Sequence, residues 1–153
     1  MKQHGFIRSI FVLGILGGSI YFGWLPDLIN YAGQQIQHQV PDNGQQQVIN
    51  AFANEQSNLQ VEVAAPVSRI LPDDNQGSRH QRFILKLANG QTILVAHNID
   101  LAPRVSGITV GDSVTVAGEY EWNGKGGVIH WTHHDPSGSR LGGWIDLKGN
   151  RYQ

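Results

Sequence analysis

Between Gly126 and Pro136 the chain reads GGVIHWTHHDP, which places three of its seven histidines, His130, His133 and His134, within five positions and Asp135 directly after them. Neutral imidazoles beside a carboxylate are the ligand types that zinc, copper and iron take. With His97 added, the candidate metal set is His97, His130, His133, His134 and Asp135, and the cofactor it suggests is a divalent ion such as zinc. The same groups move protons. His97 or His133 can serve as a general base, with Asp135 as a further catalytic candidate, and Arg82 can stabilise an anionic transition state. That set describes a metal-dependent hydrolase of the phosphodiesterase or nuclease type. A third use needs no reaction. Arg82, His97, His130, His134 and Glu119 can grip a polar or anionic ligand. The plain structural use is that the histidines hydrogen-bond loops and that Asp135-Pro136 only stops a strand. Neither H-E-x-x-H nor G-x-S-x-G occurs, so no standard zinc-protease or serine-hydrolase motif decides among these uses.

Composition narrows them. The chain has 153 residues, a net charge of −1 and no cysteine. Disulfides and thiolate metal sites are excluded, so a metal must be held by His, Asp, Glu or backbone oxygen. From Ser57 onward there are nine Lys/Arg and nine Asp/Glu. A general nucleic-acid binder carries a large basic footprint, which is missing here. Nineteen glycines, many beside polar residues, suit a turn-rich β fold better than a helical bundle.

Three segments follow in order. Residues 1–32 read as a membrane anchor or signal segment. Lys2 and Arg8 precede the charge-free run SIFVLGILGGSIYFGWL, Ser9 to Leu25. A helix of that length is at the lower edge for crossing a bilayer core of about 30 Å. The positive flank stays cytoplasmic, which puts the remainder outside the cytoplasm. No A-x-A pattern follows the run, so an uncleaved signal-anchor is preferred to a cleaved leader. The expected location is a bacterial cell envelope, with the C-terminal domain on the periplasmic side or secreted if the leader is cut. Residues 33–57 read as a polar linker with a short helix over Gly44 to Glu55, with Val48, Ile49 and Phe52 on one side. Residues 58–153 read as the folded domain with a C-terminal tail.

Within that domain the hydrophobic period becomes two. The expected strands are Leu59 to Ile70, Arg79 to Leu87, Gln91 to Asn98, Ser113 to Trp122 and Gly127 to His134. Asn89-Gly90 and Asn123-Gly124 mark hairpins. A helical turn is expected at Ile99 to Val105, with Asn98 as its cap and an Arg104–Asp100 pair, and a short hairpin in the tail from Gly142. Five strands with a helical possibility between the third and fourth give the element order of an OB-like five-stranded barrel.

If each Asn-Gly makes a two-residue turn, the faces follow. Trp131 lies opposite Val116 and Ile129 opposite Gly118, all core. His130 lies opposite Ala117 and His134 also points outward, while His133 is a core-side strand-end residue. Leu85 meets Leu94, Phe83 meets Ala96, and Arg82 meets His97 on the outer face with His80 beyond. His130 and His134 are about 13 Å apart along a straight strand, too far to share one ion. A slip of one residue in either hairpin inverts these faces.

The runs AHNIDLAPR (Ala96 to Arg104), GEYEWNGKGGVIHWTHHDP (Gly118 to Pro136) and GGW (Gly142 to Trp144) resemble a bacterial family of small exported proteins known as a domain of unknown function. The resemblance covers residues 80–153 and implies export but no activity. The catalytic motifs of staphylococcal-type nuclease, which also uses an OB barrel, are not matched. The sequence therefore points to an exported, membrane-anchored OB-like domain. It binds an oligosaccharide, an oligonucleotide or a partner protein on a face bearing Arg82, His97 and His130. Nucleic acid is disfavoured by charge and a cell-envelope partner favoured.

Overall fold

The computed structural model describes residues 43–153, together with the backbone of Ile15–Leu16 and Ser19–Ile20, two short strands that pair antiparallel. The membrane-helix expectation for Ser9 to Leu25 falls otherwise outside the described residues. Among the described residues no helix is long and apolar enough to cross a membrane.

The folded unit begins with helix α1, Asn43–Ala53. This is the helix expected at 44–55, and it seats Val48 and Ala51 in the hydrophobic core, both essentially inaccessible. Residues 43–53 thus pack into the folded unit and do not act as a spacer. Gly44 is required there, since a Cβ on it would meet the Glu62 carbonyl oxygen at 1.7 Å. Gln45 ties the helix down by donating to the Ala64 carbonyl and accepting from the Ala88 N–H. Phe52 stacks on Trp122.

Seven strands follow: β1 (Leu59–Asp74), β2 (His80–Lys86), β3 (Thr92–Asn98), β4 (Ser113–Glu121), β5 (Val128–His130), β6 (Trp144–Leu147) and β7 (Asn150–Tyr152). The first five form a closed ring in the order β1-β2-β3-β5-β4, with β4 returning to β1. All neighbours are antiparallel except β3 and β5, which run parallel. β1 is long enough to serve two partners. Leu59 to Pro66 pairs with β4, and Val67 to Asp74 pairs with β2, with irregularities at Val67/Arg69 and Leu71/Asp74. Such irregularities bend a strand and raise its twist, as ring closure demands. Val61, Val63, Ala65 and Val67 on β1 meet Phe83, Leu85, Ile93, Val95, Val114, Val116, Tyr120 and Ile129 inside. The expected tail hairpin forms as β6 and β7. Lys148 and Gly149 both have positive φ, as a tight two-residue hairpin turn requires. Lys148 also reaches Asp112, whose carboxyl is held down at about 2 by that contact and by Thr109.

Both hairpins close differently from the two-residue expectation. At Asn89-Gly90 the Leu87 N–H donates to the Gln91 carbonyl, so the loop is Ala88-Asn89-Gly90 with Gly90 left-handed. Three-residue loops of this kind are the next commonest hairpin closure. The register moves by one. Leu85 faces Ile93, Arg82 faces Ala96 and Gln81 faces His97. Every β3 side chain therefore lies on the face opposite to the expected one, Leu94 outside and His97 inside. At Asn123-Gly124 the loop is longer and Asn123 caps it, accepting from the N–H groups of Lys125 and Gly127. Ile129 faces Tyr120 and His130 faces Glu119. That shift is by two, so the faces survive, with Ile129 buried and His130 outward.

The expected fifth strand to His134 stops at His130, because Trp131 is left-handed with φ of 51°. Trp131 therefore leaves the core position opposite Val116. β6 takes over the freed edge of β4, with Ile145 facing Val116. Ile99 to Ala102 is a turn capped by Asn98 rather than a helix. Asp100 pairs with Arg79 and Arg104 with Asp73, in place of the expected Arg104–Asp100 pair.

Gly127 is tightly enclosed within the long loop. Its φ is +88° and a Cβ would lie 2.3 Å from the Tyr120 ring, whereas a Cβ on Gly124 meets nothing. Gly127→Ala is expected to cost about 3 kcal/mol or more in urea denaturation, through strain and overpacking. Gly124→Ala should stay within about 0.5 kcal/mol of the parent.

Candidate functional site on the outer face

With the ring interior filled by apolar side chains, ligands must be met on its outside. Alternation along each strand decides what the outside displays. β2 turns out His80, Arg82 and Ile84, and β3 turns out Leu94 and Ala96. β5 turns out Val128 and His130, and β4 turns out Glu119 and Glu121. Leu94 lies beside Val128 across the parallel β3–β5 pair, and Val128 faces Glu121.

Two features result. The first is an open groove of about 760 Å³ floored by Leu71, Ile84, Thr92 and Leu94 and walled by Asn123, Gly124, Lys125 and Gly127. Leu71, Ile84 and Leu94 make its aliphatic part and are half-buried, while Thr92 is exposed. Lys125 at its rim has no ion-pair partner among the described residues. The second is a polar corner in which Glu119, Glu121 and His130 bring one ligating atom each within 4.8 Å of one another. Arg140 closes this corner. Its Nη1 donates to Glu119 Oε2 at 2.9 Å, and its guanidinium lies 4.7 Å from the Trp131 ring centre. Burial pushes the His130 imidazole toward its neutral form, against the pull of Glu119 and Glu121.

The expected site residues are dispersed. His97 does not sit beside Arg82 on the outer face. It is fully buried, with Nδ1 2.8 Å from Thr132 Oγ1 and Nε2 3.0 Å from the Pro103 carbonyl. The carbonyl can only accept, so Nε2 carries the proton and the Thr132 hydroxyl donates to Nδ1. No nitrogen is left for an ion or a substrate proton. Arg82 braces the ring, donating from Nε to the Pro72 carbonyl, with Asp74 at 3.9 Å. His80 bonds through Nδ1 to the Ser78 carbonyl. His133 is buried and donates from Nδ1 to the His134 carbonyl, with its ring 5.4 Å from Trp131. His134 is exposed. Asp135 accepts from the Ser137 hydroxyl and N–H, the Ser139 hydroxyl and the Arg140 N–H. Those bonds, Ser137 first, hold its carboxyl well below the usual carboxylate range. Asp135 organises the loop that delivers Arg140. Of the five residues named for a metal, only His130 stands among other ligand-type side chains.

Sequence reasoning missed Glu121, Lys125 and the aliphatic floor. The signals were present. Glu119 and Glu121 alternate on one strand, and Phe83-Ile84-Leu85 is apolar on both faces, which leaves one large apolar side chain outside. Leu94 was hidden by the one-residue slip.

Residues 34–153 match the family described as "Protein of unknown function (DUF3465)", and the chain belongs to that family. No curated protein matches the chain.

His97 sets a pH dependence. Burial lowers its pKa below the unfolded value of 6.5. The unfolded chain therefore takes up a proton that the folded chain refuses. The contribution is fully present above pH 6.5 and is lost as the pH falls from there toward the lowered value. Unfolding free energy measured between pH 8 and 5 should fall toward acid, by at most about 1.4 kcal/mol per pH unit from this one proton. His97→Gln should lower stability at pH 8 and flatten the slope, with the remainder coming from His130, which is shifted the same way.

Proposed function

We propose that this protein is a non-catalytic binding module of the cell envelope. In this reading it is an OB-like barrel held at the membrane by its N-terminal segment, and it takes an extended segment of a partner protein on its outer face. One observation carries it. The outer face of β2 and β3, with the β4–β5 loop beside it, carries an aliphatic floor ending at an unpaired lysine. In OB folds that same region, the face of strands two and three with the loops beside it, receives ligands. The ligand class follows from the lining. Oligonucleotides and single strands are held by aromatic stacking platforms and by cationic tracks. The floor here is Leu71, Ile84 and Leu94, with no aromatic ring. Aliphatic side chains two residues apart on an extended peptide fit such a floor, and an acidic residue beyond them would meet Lys125. The hydrolase reading loses most of its support, since both nitrogens of His97 and the carboxylate of Asp135 are committed to structure and His133 spends Nδ1 on the His134 carbonyl.

Fluorescently labelled peptides with two aliphatic residues separated by one position, flanked by acidic residues, should bind the protein. Leu94→Asp should weaken binding about tenfold or more while leaving the circular dichroism spectrum unchanged, and Lys125→Glu should favour peptides with basic flanks. Equal binding by Leu94→Asp, or binding of oligosaccharides with no peptide binding, would remove the reading.

A further inference from the structure

We propose that Glu119, Glu121 and His130 form a binding site for a divalent metal ion of the zinc class, on the outer face where β4 and β5 run together. This is separate from the peptide reading and stands without it. The three residues are placed by the sheet. Glu119 and Glu121 are alternate residues of β4 and share its outward side. His130 is the register partner of Glu119 on β5. Ligands on two paired strands are held at fixed spacing with little entropy left to lose, which is what a metal site needs.

The distances gather three ligand atoms around one point. His130 Nε2 is 3.9 Å from Glu119 Oε1 and 4.0 Å from Glu121 Oε1. These are too long for direct hydrogen bonds. Zinc bonds of about 2.0–2.2 Å to nitrogen and carboxylate oxygen put neighbouring ligand atoms about 3–4 Å apart. The second observation is the state of the imidazole. Nε2 is buried and has no hydrogen-bond partner. If it carries a proton, the donor has no acceptor in reach. If it carries a lone pair, that pair faces two carboxylates. A lone pair facing two carboxylates is unfavourable and a proton there meets them only at ion-pair distance, whereas a cation between the three atoms would be bound by all of them directly.

Arg140 is compatible with this. It engages Glu119 through Oε2 and leaves Oε1, the oxygen nearer His130. A hydrogen bond from a neighbour to a ligating carboxylate is the usual way such ligands are oriented. His130 and Glu121 keep about a third of their side-chain surface exposed, although Nε2 itself is buried. The set of two carboxylates and one imidazole, with no sulfur, suits Zn²⁺ and not a soft ion such as Cu⁺.

The test is zinc binding by the untagged full-length protein in mild detergent, by equilibrium dialysis against zinc chloride with elemental analysis, alongside thermal melts. Wild type should retain one zinc per chain and melt at a higher temperature with zinc than with chelator. His130→Ala and Glu121→Gln should each weaken binding at least about tenfold and abolish the zinc-dependent melting shift. His134→Ala, exposed and outside the cluster, should bind as wild type. Glu121→Gln keeps the side chain's shape, so it decides the matter if His130→Ala folds poorly. No stoichiometric zinc in the wild type, or undiminished binding by Glu121→Gln, would overturn the site and leave the gap to water.

Discussion

The structure depends on one strand that must pair with two others. β1 spans 16 residues, its first half on β4 and its second on β2. Without its bend the sheet would stay open and its core residues would face water. Closure has a cost, because the polar groups trapped inside need partners. Two devices supply them. Gln81 exchanges a pair of hydrogen bonds with the Val105 backbone, which anchors the long β3–β4 connection as a strand pair would. His97 bridges Thr132 and Pro103, joining that connection to the segment after β5. Both side chains are among the few polar groups fully inside.

The ring's contents explain why function is sought outside. A five-stranded ring is filled by its own side chains. Its outer surface is free to vary without loss of the core. Here that surface carries an aliphatic strip and a carboxylate–imidazole corner side by side, joined through Leu94, Val128 and Glu121. A segment lying along the strip would pass within reach of the corner. The loop set by Asp135 brings Arg140 over Trp131 to Glu119, so the irregular stretch after β5 acts as a lid support for that corner.

The strands and the hairpin positions were legible because period-two patterning and Asn-Gly pairs report directly on backbone geometry. The faces were legible only in part. A loop of three residues in place of two at Ala88 to Gly90 inverted β3, and nothing local distinguishes the two closures, since Asn-Gly suits both. The longer loop at Asn123 moved the register by two and left His130 outward. Trp131 had no cue at all. A tryptophan with positive φ is rare, and it is fixed here by tertiary contacts with His133 and Arg140. Dense histidines therefore marked a place where the chain leaves the sheet. The one cluster with ligating geometry lay in the regular part, where His130 meets two glutamates from the neighbouring strand.

The β6–β7 hairpin has a consequence for association between copies. With the first five strands closed on themselves and β6 laid along β4, the sheet's open edge is β7, three residues long and bearing Arg151. Arg151 folds back over the Trp144 ring at 3.8 Å. A short, charged edge is a poor template for strand addition by another molecule. Truncation before Trp144 would bare the stretch of β4 from Val114 to Ala117, a longer and more apolar edge. The last ten residues thus also guard a crowded solution of this protein against sheet-to-sheet aggregation.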